Sequence, residues 1–259
     1  MLVPPGNPTV EPELYRMAPR GVSIHFARLD SARTTSASAP GAPGGMEDRT
    51  RAYVDSLPAV ATTLAAVNPA VVVLAFTAAS YTNGFAREQV LADQIASLTR
   101  TRALTAAQAI LAALEHLGVK RLALGTPYPD SISVLGRAYW EAAGLQVVGY
   151  ARLAGVENIY DESEERAYRL ARQADVPNAD AVLLSGTGLP TVGVLDLLEH
   201  DLGKPVISSN QASLWRALRL AGVREPVATA VRSDPRRRRH ESVPQVPRAR
   251  ATEPPEGVL

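Results

Sequence analysis

Three phrases constrain the fold of this chain most: HLGVKRLAL (116–124), AAGLQVVGY (142–150) and DLGKPVIS (201–208). Each closes a helical pattern on glycine and enters a run of Val, Leu or Ile within a few residues, which is how a helix turns back into a parallel strand. The same alternation runs through the sequence. Strands are expected at 21–27, 70–76, 120–125, 145–150, 180–185 and 204–208. Helices are expected near 50–67, 85–99, 105–117, 130–143, 162–174, 191–201 and 209–221, with Thr105 and Asp130 as N-caps and Gly118, Gly144 and Gly203 just past helix ends. Alternation of this kind predicts an α/β fold with parallel sheet covered by helices on both faces.

The 259 residues suffice for one large domain or two intimate lobes of about 100 residues each. A net charge of +1 gives no overall attraction to nucleic acid or an anionic membrane. The start, MLVPPGNPTVEPEL, has neither the basic head nor the apolar run of a secretory signal, and no stretch approaches a membrane span, so the expected location is cytoplasmic. Residues 31–48, rich in Ser, Ala, Pro and Gly, read as a mobile loop, and 222–259 as a disordered Arg/Pro-rich tail. The consecutive Arg236 to Arg239 lack interleaved aromatics and fit a solvated tail better than a nucleic-acid contact. There is no cysteine, which excludes disulfides, thiolate metal sites and thiol catalysis.

Two apolar runs end alike. AVVVLAFTAASYTNG (70–84) passes into Phe76, Thr77, Ala78, Ser80 and Tyr81; AVLLSGTGLPTVG (181–193) passes into Ser185, Gly186, Thr187 and Gly188. In parallel α/β sheets ligands bind beyond the carboxyl ends of the strands. That edge also gathers Asn7, Thr126 to Tyr128, and Asn158. These groups are neutral, and backbone N–H groups at helix starts after 78 and 188 would add donors, a set suited to a carboxylate or a developing enolate. Plainer readings stand beside this one: Asn7 as a turn residue before Pro8, Tyr128 as a strand-end plug, Thr77 and Thr187 as N-caps, Asn158 as a loop turn. No histidine falls on the edge: His25 lies in a strand, His116 and His200 in last helical turns, His240 in the tail. No G-x-G-x-x-G follows the first strand, and the edge offers no metal-ligand cluster, so neither dinucleotide nor metal is expected.

PPGNPTVEPEL, LAFTAASYTNG, LALGTPYPDSISVLGRAYWEAAGLQVV, GVENIYDES, LLSGTGLPT and PVISSNQASLW follow one another as in the aspartate/glutamate racemase superfamily. Over residues 1–221 the chain resembles its maleate cis-trans isomerase and arylmalonate decarboxylase branch. The resemblance implies two pseudo-symmetric, doubly wound lobes with parallel sheets and an active-site cleft between them. Residues 1–104, completed by 205–221, would form one lobe and 105–204 the other. It further implies a cofactor-free isomerase, racemase or decarboxylase acting on a small carboxylate or dicarboxylate through an enediolate, or a relative that binds such a ligand without turnover; homo-oligomers are left open. The family's two cysteines would fall at Phe76 or Thr77 and at Gly186 or Thr187, where this chain has none. Its carboxylate-binding residues match Asn7, Tyr128 and Asn158, and its dioxyanion pocket matches Thr77, with Ala78 in place of a second hydroxyl. Thr77, Thr187 and Tyr128 are thus the expected catalytic residues. Asn7, Phe76, Ala78, Ser80, Tyr81, Asn158, Ser185, Gly186 and Gly188 are the expected substrate contacts. Thr77 and Thr187 should face one another across the cleft, and a cysteine at 186 or 187 should restore proton transfer.

Overall fold

The structure, a computed structural model, describes residues 1–30 and 45–227. Two four-stranded parallel sheets share one topology. In the first, β1 (Leu2–Val3), β2 (Ala27–Arg28), β3 (Val71–Leu74) and β4 (Arg102–Thr105) lie in the order β2-β1-β3-β4. In the second, β5 (Arg121–Thr126), β6 (Gln146–Arg152), β7 (Ala181–Leu184) and β8 (Val206–Ser208) lie in the order β6-β5-β7-β8. β1 and β3 thus correspond to β5 and β7, and the two quoted strand ends are equivalent: Thr77 and Thr187 each stand three residues beyond their strand. The repeat extends to the closing strands. Thr105 and Ser208 each form a capping box with a glutamine three residues on, Gln108 and Gln211, at the starts of α6 (Ala106–His116) and α10 (Ser209–Leu220).

The other helices are α1 (Val10–Met17), α2 (Gly45–Asp55), α3 (Leu57–Ala65), α4 (Thr77–Asn83), α5 (Glu88–Thr99), α7 (Asp130–Ala142), α8 (Glu164–Ala174) and α9 (Leu195–Leu202). The helix expected over 50–67 is two helices, because Pro58 cannot continue a helix and instead opens α3. Only Ala27 of the expected 21–27 strand enters the sheet, together with Arg28 beyond it, and His25 lies in an exposed irregular segment. β4 and α1 were not anticipated: one is a four-residue edge strand, and the other carries Pro12 in its first turn, where a missing N–H is harmless. Gly118, Gly144 and Gly203 take positive φ of 70°, 88° and 65°, as expected past helix ends. Asp130 is the first residue of α7, with Pro129 at the N-cap position.

The segment 205–221 belongs to both halves. β8 pairs with β7 in the second sheet, whereas α10 packs on α1, α6 and β3. The expected loop lies outside the described residues over 31–44, and Glu47 and Asp48 of its end sit in the first turn of α2. The expected tail lies outside them from 228 onward. Its first residues are not free, because Val227 is buried in the main core cluster and Val223 packs against it. Among the described residues no helix is long and apolar enough to cross a membrane.

Candidate functional site

The carboxyl ends of β1, β3, β5 and β7 meet where the two sheets face one another, and the polar side chains there are almost fully buried. Asn7 is held by its own turn, its Oδ1 accepting from the N–H groups of Thr9 (2.9 Å) and Val10 (3.1 Å) at the start of α1. The turn reading is therefore correct for the oxygen. The amide nitrogen does something else, donating across the lobes to Thr187 Oγ1 at 3.3 Å. Thr187 in turn donates to the Ala75 carbonyl at 3.0 Å, and Thr9 Oγ1 donates to the Gly188 carbonyl at 2.9 Å. Neither threonine acts as an N-cap: Thr77 is the first residue of α4, with Phe76 in the cap position, and Thr187 precedes α9 by a run of turns. The next helix, α9, starts only at Leu195, so the donors expected directly after 188 are turn N–H groups.

The second cluster centres on Tyr128, 2% exposed, whose hydroxyl lies 3.4 Å from where a Cβ on Gly186 would stand. Thr77 Oγ1 donates to Ser209 Oγ at 3.2 Å, and the Gly186 N–H reaches the same Ser209 oxygen at 2.9 Å. Thr77 and the Gly186–Thr187 strand end are thus joined through one serine. Behind them the Tyr81 hydroxyl bonds Ser185 Oγ and accepts from Trp140 Nε1 at 2.9 Å. Its ring reaches this position because Gly136 of α7 has no side chain; a Cβ there would lie 2.6 Å from it.

Two expected contacts point elsewhere. Ser80 donates to Glu88 at 2.7 Å, on the far side of α4. Asn158 closes a local turn, accepting from Tyr160 N (3.2 Å) and donating to Asp161 (3.1 Å), so it is a turn residue. That turn sets Tyr160, whose ring lies against Gly6 and Gly188: an added Cβ would meet it at 3.2 Å and 2.8 Å. Tyr160 therefore covers the junction, beside a groove of about 330 Å³ that it lines with Thr9 and Glu13.

The two positions at which the resemblance places thiols are occupied differently. Phe76 is buried, its ring 5.9 Å from that of Tyr53. Gly186 has φ +129°, and a Cβ on it would sit 2.9 Å from Pro127 Cγ and 3.4 Å from the Tyr128 hydroxyl. A cysteine at 186, one of the two positions expected to restore proton transfer, does not fit this backbone.

Proton chemistry has few agents here. Burial pushes the Tyr128 hydroxyl well above its ordinary value, reinforced by nearby Tyr81, and burial likewise raises Tyr81 and Tyr160. All three are neutral donors at pH 7. His116 is at the end of α6 with its ring 5.3 Å from that of Trp215, and His200 is at the end of α9. Among the described residues no group of His, Cys, Asp and Glu could hold a metal ion.

Sequence reasoning missed Ser209, Asn210 and Glu13. Glu13 of α1 is buried and accepts from Val192 N (2.8 Å), Asn210 Nδ2 (2.6 Å) and Thr191 N (2.5 Å). The Asn210 amide also donates to the Thr187 carbonyl at 3.1 Å. The serine and asparagine lie in the quoted PVISSNQASLW, where two adjacent hydroxyls and an amide after a strand were a usable signal. For Glu13 there was none, since α1 was not foreseen.

Residues 1–232 match the family profile described as arylmalonate decarboxylase. The chain is similar to the arylmalonate decarboxylase of Bordetella bronchiseptica, 34% identical over 157 residues, which is 59% of this chain and 65% of the relative. It is also similar to the maleate isomerase of Geobacillus stearothermophilus, 26% identical over 130 residues, or 49% and 52% of the two chains. These matches thus span just under two thirds and about half of the relatives' lengths. A crystal structure of arylmalonate decarboxylase superposes with a TM-score of 0.70 at 28% identity, covering 88% of this chain and 93% of the other. Maleate isomerase from Pseudomonas putida S16 superposes at 0.78 with 21% identity, covering 88% and 94%, a likeness of fold. The chain belongs to the arylmalonate decarboxylase family.

Proposed function

We propose that the cleft binds a small carboxylate and stabilises its enediolate, making this a cofactor-independent protein of the decarboxylase and isomerase kind that works without thiols. The observation that carries this reading is the buried meeting of the Thr77 hydroxyl and the Gly186 N–H on the Ser209 oxygen, with the Tyr128 hydroxyl 3.4 Å from where a Cβ on Gly186 would stand. The Ser209 and Tyr128 protons are neutral donors suited to carboxylate oxygens, and in a buried setting such donors strengthen as charge builds on those oxygens. Loss of CO₂ from a malonate leaves an electron pair that the remaining carboxylate takes up as an enediolate; a proton must then return to carbon. With no cysteine, and with the tyrosine hydroxyls held neutral, that proton comes from water. Maleate isomerisation by nucleophilic addition to the double bond has no agent in this cleft.

Slow decarboxylation of an arylmalonate and no isomerisation of maleate are therefore expected, followed by CO₂ release and by proton NMR. Tyr128→Phe should weaken binding of phenylmalonate by roughly tenfold or more, the usual worth of a hydrogen bond to a charged group. Titration calorimetry reads this directly, and unchanged affinity in Tyr128→Phe would reject the pocket. A second reading, binding without turnover, is favoured by Thr187: engaged by both Asn7 and the Ala75 carbonyl, its hydroxyl cannot act as an acid without breaking a lobe-to-lobe bond. Tight carboxylate binding with no product over days would select that reading.

A further inference from the structure

We infer that Ser209 joins the two strand ends into one anion-accepting pocket, holding the Thr77 hydroxyl and the Gly186 N–H on a single oxygen and keeping its own proton for the ligand. Its ligand rests on the carboxylate reading above; its geometry does not. Ser209 is completely buried at the first position of α10, on neither of the strands that carry the site. Its Oγ accepts from Thr77 Oγ1 at 3.2 Å and from Gly186 N at 2.9 Å. It therefore touches residues from both strand ends at which the family resemblance places the two missing thiols.

An oxygen that accepts two hydrogen bonds retains its own proton, which neither bond uses, to donate to a bound carboxylate. The resulting chain runs from the Thr77 hydroxyl through the Ser209 hydroxyl to the Gly186 N–H. The backbone donor fixes one end, so the serine proton can turn toward an arriving anion while its oxygen keeps both donors paired. A serine that merely filled space would need no such partners. Ser213, one turn further along the same helix, shows the contrast: it is just as buried, and its Oγ has no partner.

The absence of cysteine makes a clean test available in the full chain. Ser209→Cys and Ser213→Cys each introduce a single thiol, and its ionisation is followed by thiolate absorbance as pH is raised. Burial raises both thiols, but only the one at 209 has two donors aimed at it, so it should titrate about two pH units below the one at 213, a hundredfold difference in thiolate equilibrium. Titration of both at the same pH would overturn the inference. Binding gives the second measurement: Ser209→Ala should weaken phenylmalonate roughly tenfold while Ser213→Ala leaves it unchanged. Equal binding by wild type and Ser209→Ala would also overturn it. If the wild type binds no carboxylate yet the thiol at 209 titrates low, the ligand reading fails and the role of Ser209 stands.

Discussion

Gly186→Cys should destabilise the protein by about 3 kcal/mol and lower the melting midpoint by roughly 10 °C, the sum of a disfavoured backbone and a collision. At φ +129° an L-residue is strained whatever surrounds it, and the new Cβ would press on Pro127 at 2.9 Å. Pro127 cannot give way easily, because its ring is part of the backbone between β5 and Tyr128. Restoring a thiol therefore belongs at 187, where Thr187→Cys keeps the backbone and costs mainly the bonds to Asn7 and Ala75. A differential melt of the two variants decides the point. Gly186→Cys melting within about 2 °C of the parent would show that the strand end relaxes.

The larger loss is expected at Glu13. Glu13→Ala leaves the N–H groups of Thr191 and Val192 and the Asn210 amide without their buried acceptor, a cost of about 3 to 5 kcal/mol at the usual price of orphaned donors. Chemical denaturation should show it as a fall in midpoint. Glu13→Gln should be milder, since its oxygen can still accept from the two backbone groups. The pH dependence has a definite sign. Burial raises the folded-state pKa of Glu13 despite its hydrogen bonds, and burial raises that of Glu88 as well. Each contributes stability that is complete below the unfolded value of about 4.3 and declines as pH rises through the folded value. Asp180, held at about 2 by its bonds to Arg121, acts in the opposite sense, and its contribution is lost as pH falls through that value. Stability should thus decline from mildly acidic toward neutral pH, and Glu88→Gln should flatten that slope. A wild-type profile that rises steadily from pH 4.5 to 7 would contradict the assignment.

The parallel strands with helical covers were legible because their signals are local: an apolar run, then a periodic run, then glycine at a positive φ. The second half was read nearly element by element for that reason. In the first half, two-residue strands such as Leu2–Val3 leave almost no pattern, and an edge strand such as Arg102–Thr105 needs no continuous apolar run. At the candidate site, the strand ends drew attention to Thr77, Tyr128 and Thr187, but what such hydroxyls bond to depends on residues far away in sequence. Thr77 and Ser209 are 132 positions apart, and Glu13 and Asn210 are 197 apart. Ser80 shows the same dependence: its place next to the strand end in sequence does not reveal that its hydroxyl bonds Glu88.

The placement of α10 bears on how the chain matures during synthesis. Ala217 and Leu220 of that helix pack against Val73, Leu104 and Ala109, while Leu214 and Leu218 join the cluster containing Leu2 and Val72. The half of the molecule translated first therefore lacks part of its cover until residue 220 has left the ribosome, 115 residues after the end of β4. Emerging from the exit tunnel at about 5 to 20 residues per second, it spends several seconds with an apolar face open to water and to chaperones. The order of translation thus prevents the amino-terminal half from folding to completion ahead of the rest, and a chain released before α10 should be captured by quality control.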